Sequence, residues 1–160
     1  FENRLRDLVE FDYRSGYINI GRARLEGLEA SAELRPAEGL RLGAAYTRLS
    51  ARDMDAGAEL LRRPRDKFSA DASARLFGRF DLAASVLWVG RRLDRDFSAS
   101  PAATVPLPGY VLLDAVLSAS VGSGLELFLR ADNLLGTHYE TVWGYGSPGR
   151  SARAGFRLAL

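Results

Sequence analysis

The chain ends on Ser151-Ala-Arg-Ala-Gly-Phe-Arg-Leu-Ala-Leu160, a stretch in which residue character alternates at nearly every step. The even-numbered positions hold alanine, phenylalanine and leucine, whereas the odd-numbered positions hold mainly serine, arginine and glycine. Successive side chains of a β-strand point to opposite faces of the sheet, so a period of two indicates one apolar face and one polar face. The stretch therefore predicts a half-buried β-strand.

The same period of two recurs along the whole chain. The clearest apolar rows alternate with polar residues over residues 28–34, 68–76, 80–88 and 111–121. Less regular alternation covers residues 40–47 and 125–132, and the least regular is the opening segment with Leu5, Val9, Phe11 and Tyr13 on one side. The pattern predicts an all-β fold, an antiparallel up-and-down meander of about eight strands.

The predicted connections alternate between short and long. Short turns are expected at residues 36–39, 78–79 and 122–124, together with a tight hairpin near 14–16 on the opposite side. Long loops are expected at residues 53–63, 95–108 and 136–148. Short turns at one end and long loops at the other are typical of outer-membrane barrels. Soluble sandwiches and barrels share the alternation, and they remain alternatives at this point.

Side-chain placement within the predicted strands fits a membrane barrel. Aromatic residues occur near strand ends, as in an interfacial belt: Tyr46, Phe68, Phe80 and Trp88. The polar face would line a lumen with charges of both signs: Arg75, Arg130, Arg153, Arg157, Asp71, Asp81, Asp114, Glu126 and Asp132. Mixed signs on neighbouring strands predict ion-pair ladders against an inner domain rather than a selective pore.

Composition excludes several function classes. The 160 residues are 47% hydrophobic, and no apolar run approaches the roughly 20 residues that a membrane helix needs. The net charge of +2 is spread over the chain without a basic block, so no nucleic-acid partner is expected. The chain has no cysteine and one histidine, His138, so no catalytic, metal or cofactor constellation is predicted.

The segments 128–150, 17–29, 61–65 and 91–97 carry a family resemblance. The first reads Phe128-Leu-Arg-Ala-Asp-Asn-Leu-Leu-Gly-Thr-His-Tyr-Glu-Thr-Val-Trp-Gly-Tyr-Gly-Ser-Pro-Gly-Arg150 and resembles the closing hairpin of TonB-dependent receptors. That hairpin shows Asn-Leu-Phe-Asp-x-x-Tyr-Glu, then Gly-Tyr, then Pro-Gly-Arg. The other three resemble the family's Asn-x-x-x-Ala-x-x-x-Gly-x-Glu, Leu-Pro-x-Arg-Pro and Gly-x-Arg-x-Asp-x-Asp segments, the last of these in the cobalamin transporter branch.

The resemblance implies a defined architecture and activity. Residues 1–160 would be the C-terminal part of a larger transmembrane β-barrel, with the plug domain and the N-terminal strands absent. The full receptor would lie in the outer membrane of a Gram-negative bacterium, among lipid and lipopolysaccharide. It would import a large scarce nutrient, cobalamin or an iron chelate, with energy from the TonB system acting through the missing plug. The alternatives are a small eight-stranded outer-membrane barrel with a structural or adhesive role and a soluble lipocalin-like binder.

Six residues are the predicted ligand contacts. Tyr139, Trp143 and Tyr145 lie in the last long loop, where rigid aromatics offer large contact area at low entropic cost. They fit an outer aromatic belt equally well. Arg92, Asp94 and Asp96 cluster beyond the end of a predicted strand and could hold the polar edges of a ligand or lipopolysaccharide phosphates.

Overall fold

The computed structural model describes residues 1–7, 9–12, 16–19, 21–122 and 124–158, without the side chains of residues 10–12 and 18. Fourteen strands are described: β1 (Glu2–Arg6), β2 (Val9–Asp12), β3 (Gly16–Asn19), β4 (Arg22–Ala37), β5 (Leu40–Asp53), β6 (Asp66–Leu76), β7 (Phe80–Val89), β8 (Arg92–Asp96), β9 (Ala103–Leu107), β10 (Tyr110–Ser120), β11 (Leu125–Asp132), β12 (Glu140–Val142), β13 (Tyr145–Gly146) and β14 (Ser151–Leu158). Within these described ranges no helix is long and apolar enough to cross a membrane.

Eight of these strands form one antiparallel sheet in the order β1-β4-β5-β6-β7-β10-β11-β14. The predicted all-β meander of about eight strands is therefore confirmed. Short turns at residues 38–39 and 77–79 and a short connection between Ser120 and Leu125 join strands at one end, and Gly39 and Gly78 adopt the positive φ (75° and 69°) that such turns require. The connections at the other end are long, and three of them fold into the hairpins β2–β3, β8–β9 and β12–β13.

The opening and closing segments differ in detail from the prediction. A single strand reaching residue 13 was expected, but Asp7 adopts φ 57°, a left-handed conformation that ends β1. The chain then starts the separate hairpin β2–β3. Residues 13–15, which include most of the predicted tight hairpin near 14–16, and the Phe11 side chain lie outside the described part of the protein. The last two residues of the closing segment, 159–160, also lie outside it.

Strand register gives the sheet two chemically distinct faces. Leu113 lies opposite Val86 and Leu117 opposite Leu82 on one face, whereas Asp114 lies opposite Ser85 on the other. We call these the apolar face and the polar face. Leu117 stays 41% exposed, and only four apolar residues are buried among those described, so the sheet has almost no interior of its own. The predicted sharing of faces is present.

The polar face carries ion pairs and most of the lining of a cavity. A cavity of about 690 Å³ opens against it, lined by Arg41, Arg75, Asp81 and Ser118 among others. The Arg41 guanidinium joins the carboxylates of Glu33 (3.0 Å) and Asp71 (2.9 Å) across three strands. Further pairs on this face are Arg75–Asp81, Arg157–Glu126, Arg130–Asp132 and Arg153–Asp132. Charges of both signs are therefore paired within this face, and the expectation that such ladders face an inner domain stays a prediction.

The apolar face changes character near the end of the sheet that carries the long connections. Tyr46, Phe68 and Trp88 lie directly opposite one another across β5, β6 and β7 and form an aromatic row. Beyond the row, β4 and β5 continue, and apart from Leu28 their side chains on this same face are charged or polar: Arg22, Arg24, Glu26, Arg48, Ser50 and Arg52. Ala23 and Ala51, on the opposite face at this level, are buried. The prediction placed strand only over residues 28–34 of β4 and missed this reversal.

Candidate ligand-binding site at the end with the long connections

Asp94 ties together three of the long connections. Its carboxylate accepts hydrogen bonds from the Arg62 Nε–H and the Arg95 N–H at one oxygen (both 2.8 Å) and from the Trp143 N–H at the other (2.8 Å). Arg62 precedes β6, Asp94 belongs to β8, and Trp143 lies between β12 and β13. The Asp94 side chain has no exposed surface. Asp94 is therefore a brace between loops that are distant in sequence.

The surroundings of Asp94 keep it ionised. Burial of the Asp94 carboxyl raises its pKa, but the hydrogen bonds from the Trp143 amide, the Arg62 side chain and the Arg95 amide lower it by more. The net result is a pKa below the ordinary value for aspartate. A carboxylate that accepts several hydrogen bonds is stabilised in its charged form, so the brace is complete at neutral pH.

A second layer of contacts lies beside the brace. The buried Arg92 side chain donates to the Glu140 carbonyl, and its guanidinium carbon lies 5.4 Å from the centre of the Tyr110 ring. The Tyr110 ring in turn packs on Tyr139, with 4.4 Å between ring centroids. A cation over an aromatic face and a tilted ring pair are both favourable arrangements. Arg92 and Tyr139 thus hold the last long connection against the sheet.

Asn133 fixes the start of that last connection. Its backbone N–H donates to Asp114 (2.8 Å), and its φ of 50° turns the chain out of β11. Its side-chain amide donates to the Thr137 carbonyl (2.9 Å) and accepts from the Thr137 N–H (3.0 Å). Asn133 is 5% exposed. Asn133 was not among the predicted site residues, although an asparagine followed by Leu-Leu-Gly is a recognisable turn signal.

An open cleft of about 820 Å³ lies above the brace. Trp143 and Tyr145 line it from one side, and Arg62, Asp96 and Phe97 line it from the other. Tyr145 is 72% exposed and Trp143 is 38% exposed. The cleft combines aromatic surface with cationic and anionic groups, which suits a large ligand with both apolar and polar parts.

Asp96 is anchored at the rim of this cleft. It accepts hydrogen bonds from the Ser98 hydroxyl (2.6 Å) and the Ser98 N–H (2.8 Å). These hydrogen bonds hold the pKa of the Asp96 carboxyl below its ordinary value. A charged acceptor is thereby fixed at the cleft entrance.

The six predicted contact residues therefore separate into two groups. Trp143, Tyr145 and Asp96 line the cleft, while Arg92, Asp94 and Tyr139 form the packing beneath it. The burial of Asp94 leaves it no surface for a ligand, so the expectation that it touches one does not hold in this arrangement. Among the residues that the structure describes, no group of three or more histidine, cysteine, aspartate or glutamate side chains could hold a metal ion.

Comparison with known proteins connects this architecture to a family. The family model described as "TonB dependent receptor-like, beta-barrel" matches residues 1–134. Solved structures that share the fold include the ferripyoverdine receptor of the outer membrane of Pseudomonas aeruginosa bound to ferripyoverdine, with a TM-score of 0.81 and 19% identity over 98% of this chain and 24% of the receptor.

Two further similar structures come from other bacteria. The ferric-catecholate import receptor Fiu of Escherichia coli K12 has a TM-score of 0.75 and 19% identity over 98% of this chain and 24% of its own. The siderophore receptor PiuA of Acinetobacter baumannii has a TM-score of 0.75 and 17% identity over 98% and 25%. The chain thus spans about a quarter of the length of these receptors. The family match and the shared sheet together show that this chain belongs to the TonB-dependent receptor family of Gram-negative outer-membrane proteins and forms part of a receptor β-barrel.

Proposed function

We propose that the complete receptor imports an iron chelate across the outer membrane, with energy supplied by the TonB system through a plug domain outside this chain. The family is one of receptors rather than enzymes, and the similar structures named above include receptors for ferripyoverdine and ferric catecholates. Cobalamin is the second candidate nutrient, on the resemblance of residues 91–97 to the cobalamin transporter segment. Residues 1–160 would then be the C-terminal part of the barrel wall.

The observation that carries this proposal is the braced cleft at the end with the long connections. Trp143 and Tyr145 offer aromatic contact surface, and Arg62, Arg95 and Asp96 offer charged groups of both signs at the same opening. An iron chelate with both aromatic and polar parts would gain from both kinds of contact. The Asp94 brace holds the cleft walls in place before binding, which reduces the entropy lost when a ligand is bound.

The open sheet argues against the alternative of a small self-closed barrel. The strand order begins at β1 and ends at β14, and these two edges do not pair with each other in the described part of the chain. Unpaired edges need partner strands, which a longer receptor would supply. A soluble lipocalin-like binder is excluded by the family match.

Uptake by the full-length receptor tests the proposed function. Iron-starved cells that rely on this receptor would be given labelled ferric hydroxamates, ferric catecholates and cobalamin, with the TonB system intact or deleted. We expect TonB-dependent accumulation of at least one ferric chelate. Accumulation of cobalamin alone would show that the imported nutrient is cobalamin and not an iron chelate. TonB-independent accumulation of every compound would overturn the proposal.

A paired substitution then tests the cleft. Trp143→Ala with Tyr145→Ala should weaken ligand binding by about tenfold or more, since aromatic anchors often dominate binding energy. Tyr17→Ala is the matched control, because Tyr17 is an exposed aromatic on another long connection and does not line the cleft. Heat-modifiable gel mobility would confirm that each barrel is folded. Equal ligand affinity in the wild type, the double variant and the control would then show that the cleft is not part of the binding site.

A further inference from the structure

β14 pairs with β11 across a long connection rather than a short turn. The ladder between the two strands ends at the pair Asp132–Ser151, and residues 133–150 join them. In contrast, β6 and β7 are joined through residues 77–79. A short turn fixes the register of a hairpin, whereas a long flexible connection closes at nearly the same cost when its length changes by a residue or two. The register of β14 must therefore come from contacts between the strands themselves.

The alternation of side chains along β14 excludes some wrong registers but not all of them. A slip by one residue would carry Phe156 and Leu158 from the apolar face to the polar face, which the apolar side chains oppose. A slip by two residues leaves every side chain on its own face and moves β14 along β11 by about 7 Å. Another contact must therefore distinguish registers that are two residues apart.

The charges on the polar face do not select the observed register. Arg153 lies directly opposite Arg130, and like charges in directly opposite positions are unfavourable. Both guanidinium groups reach the same carboxylate, that of Asp132, at 2.7 Å. A slip by two residues would instead place Arg153 directly opposite Asp132. The observed register is therefore not the one that pairs opposite charges most directly.

Phe128 and Gly155 fit together only in the observed register. They lie directly opposite each other on the polar face, and the Phe128 ring covers Gly155 so closely that a Cβ atom there would come within 2.5 Å of the ring. The other β14 residues on this face are Ser151, Arg153 and Arg157. Each of them carries a side chain, so after a slip the ring would have to swing away from β14. Only glycine allows the ring to lie across both strands.

Contacts within the connection support this register less strongly. The Asn133 side chain donates to the Pro148 carbonyl at 3.3 Å, which is long for such a hydrogen bond. The Arg150 guanidinium lies over Gly136. Arg150 is exposed and flexible, so its side chain could follow a displaced strand. The contact of Phe128 with Gly155 therefore distinguishes the registers best.

We propose that Phe128 and Gly155 are a register mark, a pair that selects one register of β14 on β11 during assembly of the receptor barrel. β14 is one edge of the described sheet, and a further strand of the receptor would pair with it. A slip by two residues would displace that edge by about 7 Å and would change the stagger of strands on which barrel closure depends. This role concerns assembly and does not depend on which nutrient the receptor imports.

Disulfide formation between paired cysteines in the full-length receptor measures the register. In a receptor with no other cysteine, Leu129→Cys with Ala154→Cys would report the observed register, because these residues lie directly opposite each other. Leu129→Cys with Phe156→Cys would report the slip that brings Arg153 opposite Asp132. Only directly opposite positions bring the two Cβ atoms close to disulfide distance. The ratio of the two cross-linked yields is the measured quantity.

Gly155→Ala should lower this ratio by about fivefold or more, because the added Cβ displaces the Phe128 ring in every register. The matched control is Gly43→Ala, on the polar face of β5. A Cβ atom there would be equally crowded, at 2.5 Å from the Asp71 carboxylate, but a short turn joins β5 to β4. The control should leave the ratio unchanged. An unchanged ratio in Gly155→Ala, or an equal fall in the control, would overturn the proposal.

An exchange of the two residues separates a register mark from a general packing defect. Phe128→Gly with Gly155→Phe moves the ring to the other strand but keeps a ring opposite a glycine only in the observed register. We expect the exchanged receptor to assemble and to recover the cross-link of the observed register, even if Gly155→Ala does not assemble. Failure of the exchanged receptor to assemble, or a ratio no higher than that of Gly155→Ala, would overturn the proposal.

Discussion

Replacing Asp94 by asparagine should loosen the connection between the three loops that the carboxylate joins. Asparagine preserves the shape of the side chain but removes its charge. Its NH₂ group is a donor, and it would face at least one of the three N–H donors that the carboxylate now accepts. The donors are the Arg62 Nε–H, the Arg95 N–H and the Trp143 N–H, each at 2.8 Å. The variant Asp94→Asn therefore leaves at least one buried donor without an acceptor.

The expected cost follows from the individual hydrogen bonds. Hydrogen bonds to charged groups contribute about 1.5–3 kcal/mol each. The Arg62 partner is 46% exposed, so its contribution is discounted for screening by solvent. The loss at the Trp143 amide alone should lower the free energy of local opening by about 2 kcal/mol. Since about 1.4 kcal/mol corresponds to a tenfold change, amide exchange at Trp143 should accelerate by about 30-fold.

Hydrogen–deuterium exchange on the full-length receptor in nanodiscs measures this change. Peptides that contain Trp143 should exchange faster in Asp94→Asn, while peptides from the sheet should not change. The control Asp53→Asn removes a carboxylate whose acceptor bonds, to the Asp55 and Ala56 N–H groups, stay within one turn. Exchange at Trp143 that is unchanged in Asp94→Asn, or equally fast in the control, would refute the bracing role.

Acid should open the same brace. The Asp94 pKa is lowered in the folded protein, so its stabilising contribution is present above the unfolded value of about 3.9 and is lost as pH falls through the folded value. In a full-length receptor whose other tryptophans, Trp88 included, are replaced by phenylalanine, the emission of Trp143 should shift only below about pH 4, and a shift on raising the pH through 8 would contradict this sign. Substitution of the aromatics should separate the two layers of the site: Tyr145→Ala should reduce ligand affinity by about tenfold at unchanged amide exchange. Tyr139→Ala should instead accelerate exchange in the last long connection, and a pure affinity loss there would place that ring in the binding site.

The two faces of the sheet could be predicted because they depend on local information. Alternation over residues 80–88 and 111–119 determines which side chains share a face, and the short turns leave little freedom in the register of neighbouring strands. That Leu117 and Leu82 share a face therefore follows from the pattern, whereas their direct pairing does not, because the long connection 90–109 joins β7 to β10. The length asymmetry of the predicted connections likewise indicated which end of the sheet would be extracellular.

The Asp94 brace and the charged end of β4 could not be predicted in this way. Asp94 meets Trp143 across 49 residues of sequence, and such an approach depends on how several loops pack together. Asp94 therefore could be identified as a polar loop residue but not as a buried acceptor. On this face of β4 the side chains change from apolar to charged, and the even spacing of Arg22, Arg24 and Glu26 is visible in the sequence. These residues lie before the predicted strand, so the change was not predicted.

The placement of the apolar face against lipid is the central claim, and spin-label accessibility tests it most directly. The chain contains no cysteine, so Leu117→Cys and Ser118→Cys each introduce a single labelling site within it. In the full-length receptor in bilayers, the label at residue 117 should collide with dissolved oxygen, which concentrates in the hydrocarbon, and be protected from a water-soluble nickel complex. The label at residue 118 should lack this preference for oxygen. A reversed or equal accessibility at the two positions would contradict the membrane orientation of this sheet.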